Sequence, residues 1–539
     1  MKNKMLYGAI ILTGAGFIAK IIGAIYRVPL MSLIGTNGIG LYQLIFPVYA
    51  LFLVISCSGI PLGLSKIISL EMGKENYANV KKIFKSSLGF MLVLGLVISI
   101  FLCTFANFFA NLQSVSEAYI CYFALAPAII LSCIISVYRG YFQGLQNMTP
   151  SAIVQIIEQL FKLIFALTLA KTMIKLGVVY GVLGTFIGIS ISELFALIYC
   201  LITYYHNKQN KKILKTKEKS TYSIKYCLKL VISNSFLIMI NGVIIPLCSA
   251  IESLLIVWLL SKAGIGNELA LRIYGLEDGI VGSLINMPIV IAGAIGTALI
   301  PSLAISYADK NQMQISTKCR LSLKYVWLIS FPCAIIFFMC SDKIIYFLYS
   351  SSLNTARVDQ FLIATNLLKF SAINIIYISI LNLATALLQA CNKSIVPVRN
   401  LLIASGIKIV LNFIFVTNAT FNIYGLVITD IICFSLACIL DLKYLKGFVS
   451  FSLDIKKEIV SPLISGLVMI LIIKILNLTF SNFVGNRVLT ILIILLSLLV
   501  YVICLFMLKA FSKTELEVLP KLKFGKKSFF PAKNDGNKN

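Results

Sequence analysis

Residues 5–29 read MLYGAIILTGAGFIAKIIGAIYRVP, and this stretch decides the class of fold. It is apolar and long enough to cross a bilayer as a helix, yet Lys20 and Arg27 interrupt it. Seven residues apart, the two cations lie on nearly the same helical face. A cation near the bilayer centre costs about 2.5–3.5 kcal/mol on insertion scales, so the chain must supply a polar, protein-lined interior. The alternative for Arg27, near the end of the run, is to extend to the headgroups.

The composition indicates a polytopic membrane protein. The 539 residues are 59% hydrophobic and 12% charged, with a mean hydropathy of +0.96, which excludes a soluble globular chain. The net charge of +27 is distributed over short segments between apolar runs and not over one surface, so we expect no nucleic-acid partner. The 14 cysteines lie mostly within apolar runs and form no C-x-x-C pair, so we expect neither disulfides nor a metal site.

Apolar runs separated by charged or Gly/Pro/Asn-rich breaks predict an all-α fold of about fourteen transmembrane helices. Their predicted limits are 5–33, 41–70, 85–111, 118–139, 152–175, 178–205, 229–262, 280–308, 319–347, 360–391, 396–417, 424–445, 459–480 and 488–511. We predict two pseudo-symmetric six-helix lobes, a linker, two extra helices and a tail. Their ranges are 1–205 for the first lobe, 206–228 for the basic cytoplasmic linker, 229–445 for the second lobe, 446–511 for the extra helices and 512–539 for the basic cytoplasmic tail.

The distribution of basic residues predicts the orientation. With the N-terminus in the cytoplasm, 33 of the 47 Lys and Arg residues fall on the cytoplasmic side, 8 on the opposite side and 6 within spans. Cytoplasmic segments of membrane proteins carry such an excess of Lys and Arg. With an even number of spans, both termini are expected in the cytoplasm.

Two short matches predict that the lobes are repeats. Residues 59–66, GIPLGLSK, resemble residues 299–304, LIPSLA. Residues 141–147, YFQGLQN, followed by Pro150, resemble residues 386–392, ALLQACN, followed by Pro397. Each pair lies six helices apart, which predicts repeats of the same orientation related by an axis along the membrane normal.

Residues suited to catalysis are few. The one histidine, His206, lies at a helix end, and residues 525–528, GKKS, lack the upstream glycine of a nucleotide loop because Pro520 stands there. We therefore expect no enzyme activity and no cofactor. Transport coupled to an existing gradient or potential is the better class.

Charged side chains within the spans are the candidate site. The bases are Lys20, Arg27, Lys66, Lys162, Lys369 and Lys408, and the acids are Glu158, Glu193, Glu252 and Asp430. Glu158 and Lys162 are spaced i,i+4, so they can neutralise each other. Gln155 and Gln159 make the same face of span five polar, which is typical of a helix that lines a cavity. Spans one, two, five, ten and eleven carry cations with too few acids to cancel them, which predicts an anion-accepting cavity between the lobes. Phosphate or diphosphate fits such a cavity better than a cationic drug does.

Several motifs carry a family resemblance. They are residues 27–30 (RVPL), 38–43 (GIGLYQ), 58–66 (SGIPLGLSK), 138–150 (YRGYFQGLQNMTP) with Gln155, Glu158 and Gln159, then residues 299–303 with Gln389, Pro397 and Lys408. Together they resemble the stage V sporulation protein B group. This group is a polysaccharide-transport branch of the multidrug/oligosaccharidyl-lipid/polysaccharide (MOP) exporter superfamily.

The resemblance implies two lobes forming a V, alternating access, and movement of an isoprenoid-diphosphate-linked sugar across the bacterial cytoplasmic membrane. In relatives that move the lipid-linked peptidoglycan precursor, cavity arginines and lysines bind the diphosphate. The resemblance implies this role foremost for Arg27, and secondarily for Lys20 and Lys66. Lys162, Lys369 and Lys408 complete the substrate-binding candidates, and Gln155, Glu158, Gln159 and Glu252 are the cavity or coupling candidates. The last two helices of those relatives form a groove for the lipid tail, and spans thirteen and fourteen match them in position only. Glu252 stands where the family usually has an aspartate.

We therefore expect a flippase of a lipid-linked oligosaccharide, with the peptidoglycan precursor of the spore cortex as its substrate. Membrane lipids and the cell-wall synthesis enzymes are its expected partners. Two alternatives stay open. One is a cation-coupled multidrug exporter, and the other is a non-transporting scaffold that recruits cortex-synthesis enzymes through the basic linker and tail.

Overall fold

The computed structural model describes residues 2–207, 213, 220–297, 302–303, 306–307, 309–353, 358–449, 454–479 and 487–511. Within these ranges every regular element is a helix, which confirms the all-α prediction. Residues 208–212 and 214–219 of the predicted linker and the whole of the tail 512–539 lie outside the described residues. The chain forms two compact units, Met1–Phe451 and Ser452–Asn539.

Seven α-helices form the first part of the larger unit. They are α1 (Lys2–Cys57), α2 (Ile60–Gly73), α3 (Tyr77–Thr104), α4 (Ala106–Leu112), α5 (Tyr119–Gly144), α6 (Thr149–Met173) and α7 (Val178–His206). Helix α6 packs along α7 and α1, and α5 packs against α2, α3 and α7. The approach of α7 to α6 depends on Gly188, because a Cβ there would lie 2.4 Å from the Ala166 backbone.

The second part of this unit begins with α8 (Ile224–Lys262) and α9 (Asn267–Tyr274). A π-helical segment (Gly275–Val281) connects α9 to α10 (Gly282–Thr297). The remaining helices are α11 (Gln312–Met339), α12 (Ser341–Leu353), α13 (Val358–Ser371), α14 (Asn374–Ala390), α15 (Ile395–Phe415) and α16 (Asn422–Phe448). Helix α14 packs against α10, α11 and α16 around buried Leu387, Leu388 and Leu445.

The smaller unit holds a π-helical segment (Ile455–Val460), α17 (Ser461–Thr479) and α18 (Arg487–Met507). The two α-helices pack against each other, and buried side chains of α18 include Thr490, Ser497 and Tyr501. Both are long and apolar enough to cross a membrane.

The described part of the chain holds 12 helices able to cross a membrane, or 13 if the bent pair Gln360–Ser371 and Asn374–Ala390 is one span. The protein is therefore a multi-pass membrane protein, although the predicted count of fourteen is not confirmed. One of the 12 runs from Ile11 to Gly73 and covers predicted spans one and two. The break between them lies at Gly35, whose φ of 69° is a conformation that favours glycine.

The turns after α5 and α14 have the same geometry. Gln146 and Asn392 have positive φ angles of 58° and 57°. The next amide in each turn, of Asn147 or Lys393, donates to a carbonyl five residues back. This pairing is shifted by one residue from the predicted one and aligns Gln143 with Gln389. The same turn also follows α2 and α4, so it does not test the repeat, and the match at 299–304 lies partly outside the described residues.

The start of span eight was predicted wrongly. We expected it at residue 280, after the segment 267–278, NELALRIYGLED. The helix instead begins at Asn267, since its polar side chains meet polar partners on α1. Arg272 Nε donates to Asn37 Oδ1 at 2.7 Å, and Gln43 Nε2 donates to Asp278 Oδ2 at 2.5 Å. This contact brings α1 against the start of α10, where the candidate site lies.

Candidate functional site

A cavity of about 640 Å³ lies between α1, α6 and α10. Three cations line it, Lys20 and Arg27 from α1 and Lys162 from α6. Ser283 and Asn286 of α10 supply neutral polar groups. Of the described residues that line this cavity, none is acidic. We call it the basic cavity.

Arg27 joins the two sides of the basic cavity. Its Nη1 donates a hydrogen bond of 2.7 Å to Ser283 Oγ, and Ser283 in turn donates to the Gly279 carbonyl. Asp278 attracts Arg27 electrostatically, but no ion pair within 4.0 Å is found for this guanidinium among the described residues. Because Ser283 is neutral, the hydrogen bond positions the guanidinium without cancelling its charge.

Lys162 is held by aromatic rings. Its Nζ lies 5.2 Å from the centroid of the Tyr26 ring and 5.4 Å from that of Phe46. Cation–π contacts orient an ammonium group but leave its positive charge in place. Glu158 instead pairs with Arg139, whose Nη1 lies 3.9 Å from Glu158 Oε1. The i,i+4 pairing that the sequence allowed is therefore not the one that forms.

Glu158 faces a second cavity, of about 290 Å³, within the first part of the unit. Arg139 and Glu193 line it with Glu158. Sequence reasoning missed Arg139, because it placed the end of span four there, whereas α5 continues to Gly144. The available signal was its position inside the YRGYFQG motif.

Gln155 and Gln159 face α1 at two glycines. A Cβ at Gly16 would lie 3.4 Å from Gln155 Oε1, and a Cβ at Gly23 would lie 3.2 Å from Gln159 Oε1. Gly23 lines the basic cavity, so Gln159 contacts α1 at its edge, although neither glutamine lines it.

Lys408 is paired with carboxylates. Its Nζ hydrogen-bonds Glu252 Oε2 at 2.5 Å and lies 2.5 Å from Asp430 Oδ1. Our expectation of unbalanced cations on span eleven is therefore wrong, because acids from two other helices reach this lysine.

Lys66 and Lys369 lie apart from the basic cavity. Lys66 is exposed on α2, and the Lys369 ammonium lies 5.3 Å from the centroid of the Phe338 ring. Of the six predicted bases, the structure brings together Lys20, Arg27 and Lys162.

Glu277 and Asp278 are acidic residues near the site that sequence reasoning missed. Both lie in the segment that was read as a loop before span eight. Glu277 is buried, with 8% of its surface exposed, and Asp278 binds Gln43 of α1. The signal for them was the apolar spacing of Leu269, Ile273 and Leu276, which continues a helix upstream of residue 280.

A family model described as "Polysaccharide biosynthesis protein" matches residues 5–306. The chain belongs to this family. A second model, MatE, matches residues 279–414. Stage V sporulation protein B of Bacillus subtilis (strain 168) is 24% identical over 461 residues, which cover 85% of this chain and 87% of that protein. Lipid II flippase MurJ of the same organism is 25% identical over 426 residues, which cover 76% of this chain and 77% of that protein.

Solved structures share the fold. Lipid II flippase MurJ in an inward closed conformation aligns with a TM-score of 0.70 at 16% identity, over 93% of this chain and 99% of that one. An inward-facing multidrug resistance MATE family transporter of the MOP superfamily aligns with a TM-score of 0.69 at 14% identity, over 80% of this chain and 94% of that one. The resemblance read from the motifs is thus confirmed, and the protein is a MOP superfamily transporter.

Proposed function

We propose that this transporter is a flippase that moves an isoprenoid-diphosphate-linked oligosaccharide across the cytoplasmic membrane. We propose the peptidoglycan precursor of the spore cortex as its substrate and assign it no enzymatic step. The observation that carries the proposal is the basic cavity, in which Lys20, Arg27 and Lys162 meet and in which none of the described lining residues is acidic. Its polarity suits a diphosphate, because guanidinium and ammonium groups form charge-assisted hydrogen bonds with phosphate oxygens.

The side of the cavity that holds Lys20 suits a lipid-linked headgroup. Ile21, Ile25 and Ile291 line it and are 41%, 54% and 45% exposed. Exposed apolar side chains beside a polar cavity allow an isoprenoid chain to stay in the bilayer while its headgroup enters. Lys20 is itself exposed there and would meet the phosphates first.

Contacts at two levels suit alternating access. Toward the break at Gly35, Arg272 bonds Asn37. Toward the other end of α1, Gly59 packs against the Ser235 backbone of α8. Opening one contact while keeping the other would expose the cavity to one side at a time. We place both termini in the cytoplasm, and the membrane potential would add about 2.3 kcal/mol per elementary charge per 100 mV.

The test is translocation of the lipid-linked precursor in proteoliposomes. Because Arg27 would contact the diphosphate, we expect Arg27→Ala to slow translocation at least tenfold, which corresponds to about 1.4 kcal/mol. The control is Lys85→Ala, which removes an exposed cation on α3. A folded Arg27→Ala protein that translocates as fast as wild type would show that the proposed role is wrong.

Cation-coupled drug export is the second candidate. The cavity around Glu158 and Glu193 favours it, because two carboxylates face one guanidinium there, and the MatE model match agrees. Drug resistance conferred on a sensitive host, and abolished by Glu158→Gln or Glu252→Gln, would support export over lipid transport. A scaffold role instead predicts that charge reversal within residues 208–219 abolishes function while substitutions in the basic cavity are harmless.

A further inference from the structure

Lys408 bridges carboxylates from two other helices. Glu252 comes from α8, Asp430 from α16 and Lys408 from α15. Its ammonium nitrogen lies 2.5 Å from one oxygen of each acid, so the two oxygens are no further apart than twice that distance. All three side chains are largely buried: Lys408 is 12% exposed, Glu252 15% and Asp430 17%.

Both carboxylate contacts of Lys408 are as short as metal–oxygen bonds. Lys408 Nζ lies 2.5 Å from Asp430 Oδ1 and 2.5 Å from Glu252 Oε2. Oxygen ligands lie about 2.3–2.6 Å from a hard cation such as Ca²⁺, so two carboxylates at this spacing would also suit a metal ion. Among the described residues, Lys408 is the one base within 4.0 Å of these two carboxylates, and its single charge matches that of a monovalent ion.

We infer that Lys408 is a built-in cation that occupies the carboxylate site formed by Glu252 and Asp430 and makes a monovalent metal ion such as Na⁺ unnecessary there. Without the ammonium, Glu252 and Asp430 would face each other as unpaired buried charges, which is strongly destabilising unless a cation or a proton enters. Replacing Lys408 with a neutral residue should therefore create a Na⁺ site.

The surrounding charges favour a cation in this position. Glu277 and Asp278 interact electrostatically with Lys408 as well as with Asp430. Asp278 also binds Gln43 and is attracted by Arg27, so it belongs to the α1 contact. Among the described residues, carboxylates therefore outnumber the bases around this site, and a vacated position would attract a positive ion.

The site also has a structural consequence. Helix α8, which carries Glu252, packs against α1 and α2. The Lys408 bridge fixes α8 to the α15–α16 pair, which itself is joined by the bond from Thr429 Oγ1 to Asn412 Oδ1. A covalently attached cation makes this connection independent of the Na⁺ concentration. The inference holds whichever substrate is carried.

The test compares the thermal stability of the purified full-length protein in about 200 mM NaCl with that in choline chloride at equal ionic strength. We expect the wild-type Tm to differ by less than about 1 °C between the salts, and the Tm of Lys408→Ala to be at least ~3 °C higher in NaCl. Lys408→Met, which keeps an unbranched side chain but lacks the ammonium nitrogen, should respond in the same way.

Two controls isolate the site. Adding Asp430→Asn to Lys408→Ala removes one carboxylate and should abolish the Na⁺ response. Lys369→Ala removes a cation of the same part of the unit that lies over the Phe338 ring, and it should show no response. Stabilisation of the wild type by Na⁺ as large as that of the variant would overturn the inference. So would folded Lys408 variants that are indifferent to Na⁺, or variants that fail to fold even in NaCl.

Discussion

Gly59 and Gly40 permit close helix contacts at two levels, and adding one methyl group to each should have opposite effects. A Cβ at Gly59 would lie 2.2 Å from the Ser235 carbonyl oxygen of α8, and a Cβ at Gly40 would lie 2.1 Å from the Leu271 carbonyl oxygen of α9. Both distances are far shorter than a van der Waals contact, so the facing helix must move away. Gly59→Ala should loosen α8, and Gly40→Ala should loosen α9.

The expected size follows from packing. Overpacking of this kind costs about 1–3 kcal/mol, because backbone atoms have no alternative rotamer. That cost corresponds to roughly a 5- to 150-fold change in the equilibrium between open and closed contacts. In contrast, Gly89→Ala on α3 adds a methyl group to open space and serves as the matched control.

Hydrogen–deuterium exchange measured by mass spectrometry reads both contacts at once. Gly59→Ala should speed exchange in residues 224–241 and leave residues 267–274 protected, whereas Gly40→Ala should show the reverse. Equal exchange of the two segments in both variants would refute the idea that the contacts open independently.

Three further substitutions have defined outcomes. Tyr222→Phe removes a 3.0 Å hydrogen bond to the buried Glu71 carboxylate, and a thermal unfolding scan should show a loss of about 1–2 kcal/mol, whereas no loss would mean that the bond is absent in solution. Asn400→Leu removes the 2.8 Å donor to fully buried Asp441 and should cost about 2–3 kcal/mol in the same scan, so an unchanged Tm would contradict the pairing. Lys162→Ala should reduce translocation, whereas Lys162→Arg should retain most of it, because the Tyr26 and Phe46 rings can contact either cation. An equal loss of translocation in both variants would indicate a packing defect and not a loss of charge.

Much of the fold was predictable because a membrane helix is indicated by the hydrophobicity of its own local sequence. The lengths of the apolar runs predicted most of the span limits. The seven-residue spacing of Lys20 and Arg27 predicted that they lie on the same helical face, because both features are local properties of the sequence. The segment 267–281 was missed because its polar residues are satisfied by Asn37 and Gln43, more than 230 positions earlier in the chain. Local polarity cannot distinguish such a helix from a loop.

The site was predictable to the extent that its charges share a helix or a cavity wall. Arg27, Lys20 and Lys162 could be found because uncompensated cations in apolar runs require a polar environment. The partners of Lys408 could not be found, since Glu252 lies 156 positions away and only tertiary packing brings it within reach. The sequence therefore does not reveal how many acidic side chains surround a given base in the folded protein.

Direct binding tests the central claim that the basic cavity accepts a diphosphate. An isoprenyl diphosphate and the corresponding isoprenyl alcohol share a lipid chain and differ only in the headgroup. Titrated into the purified protein, the diphosphate should bind at least ~10-fold more tightly than the alcohol, and the Lys20→Ala/Arg27→Ala protein should bind both alike. Equal affinity of the wild-type protein for the two ligands would contradict the account.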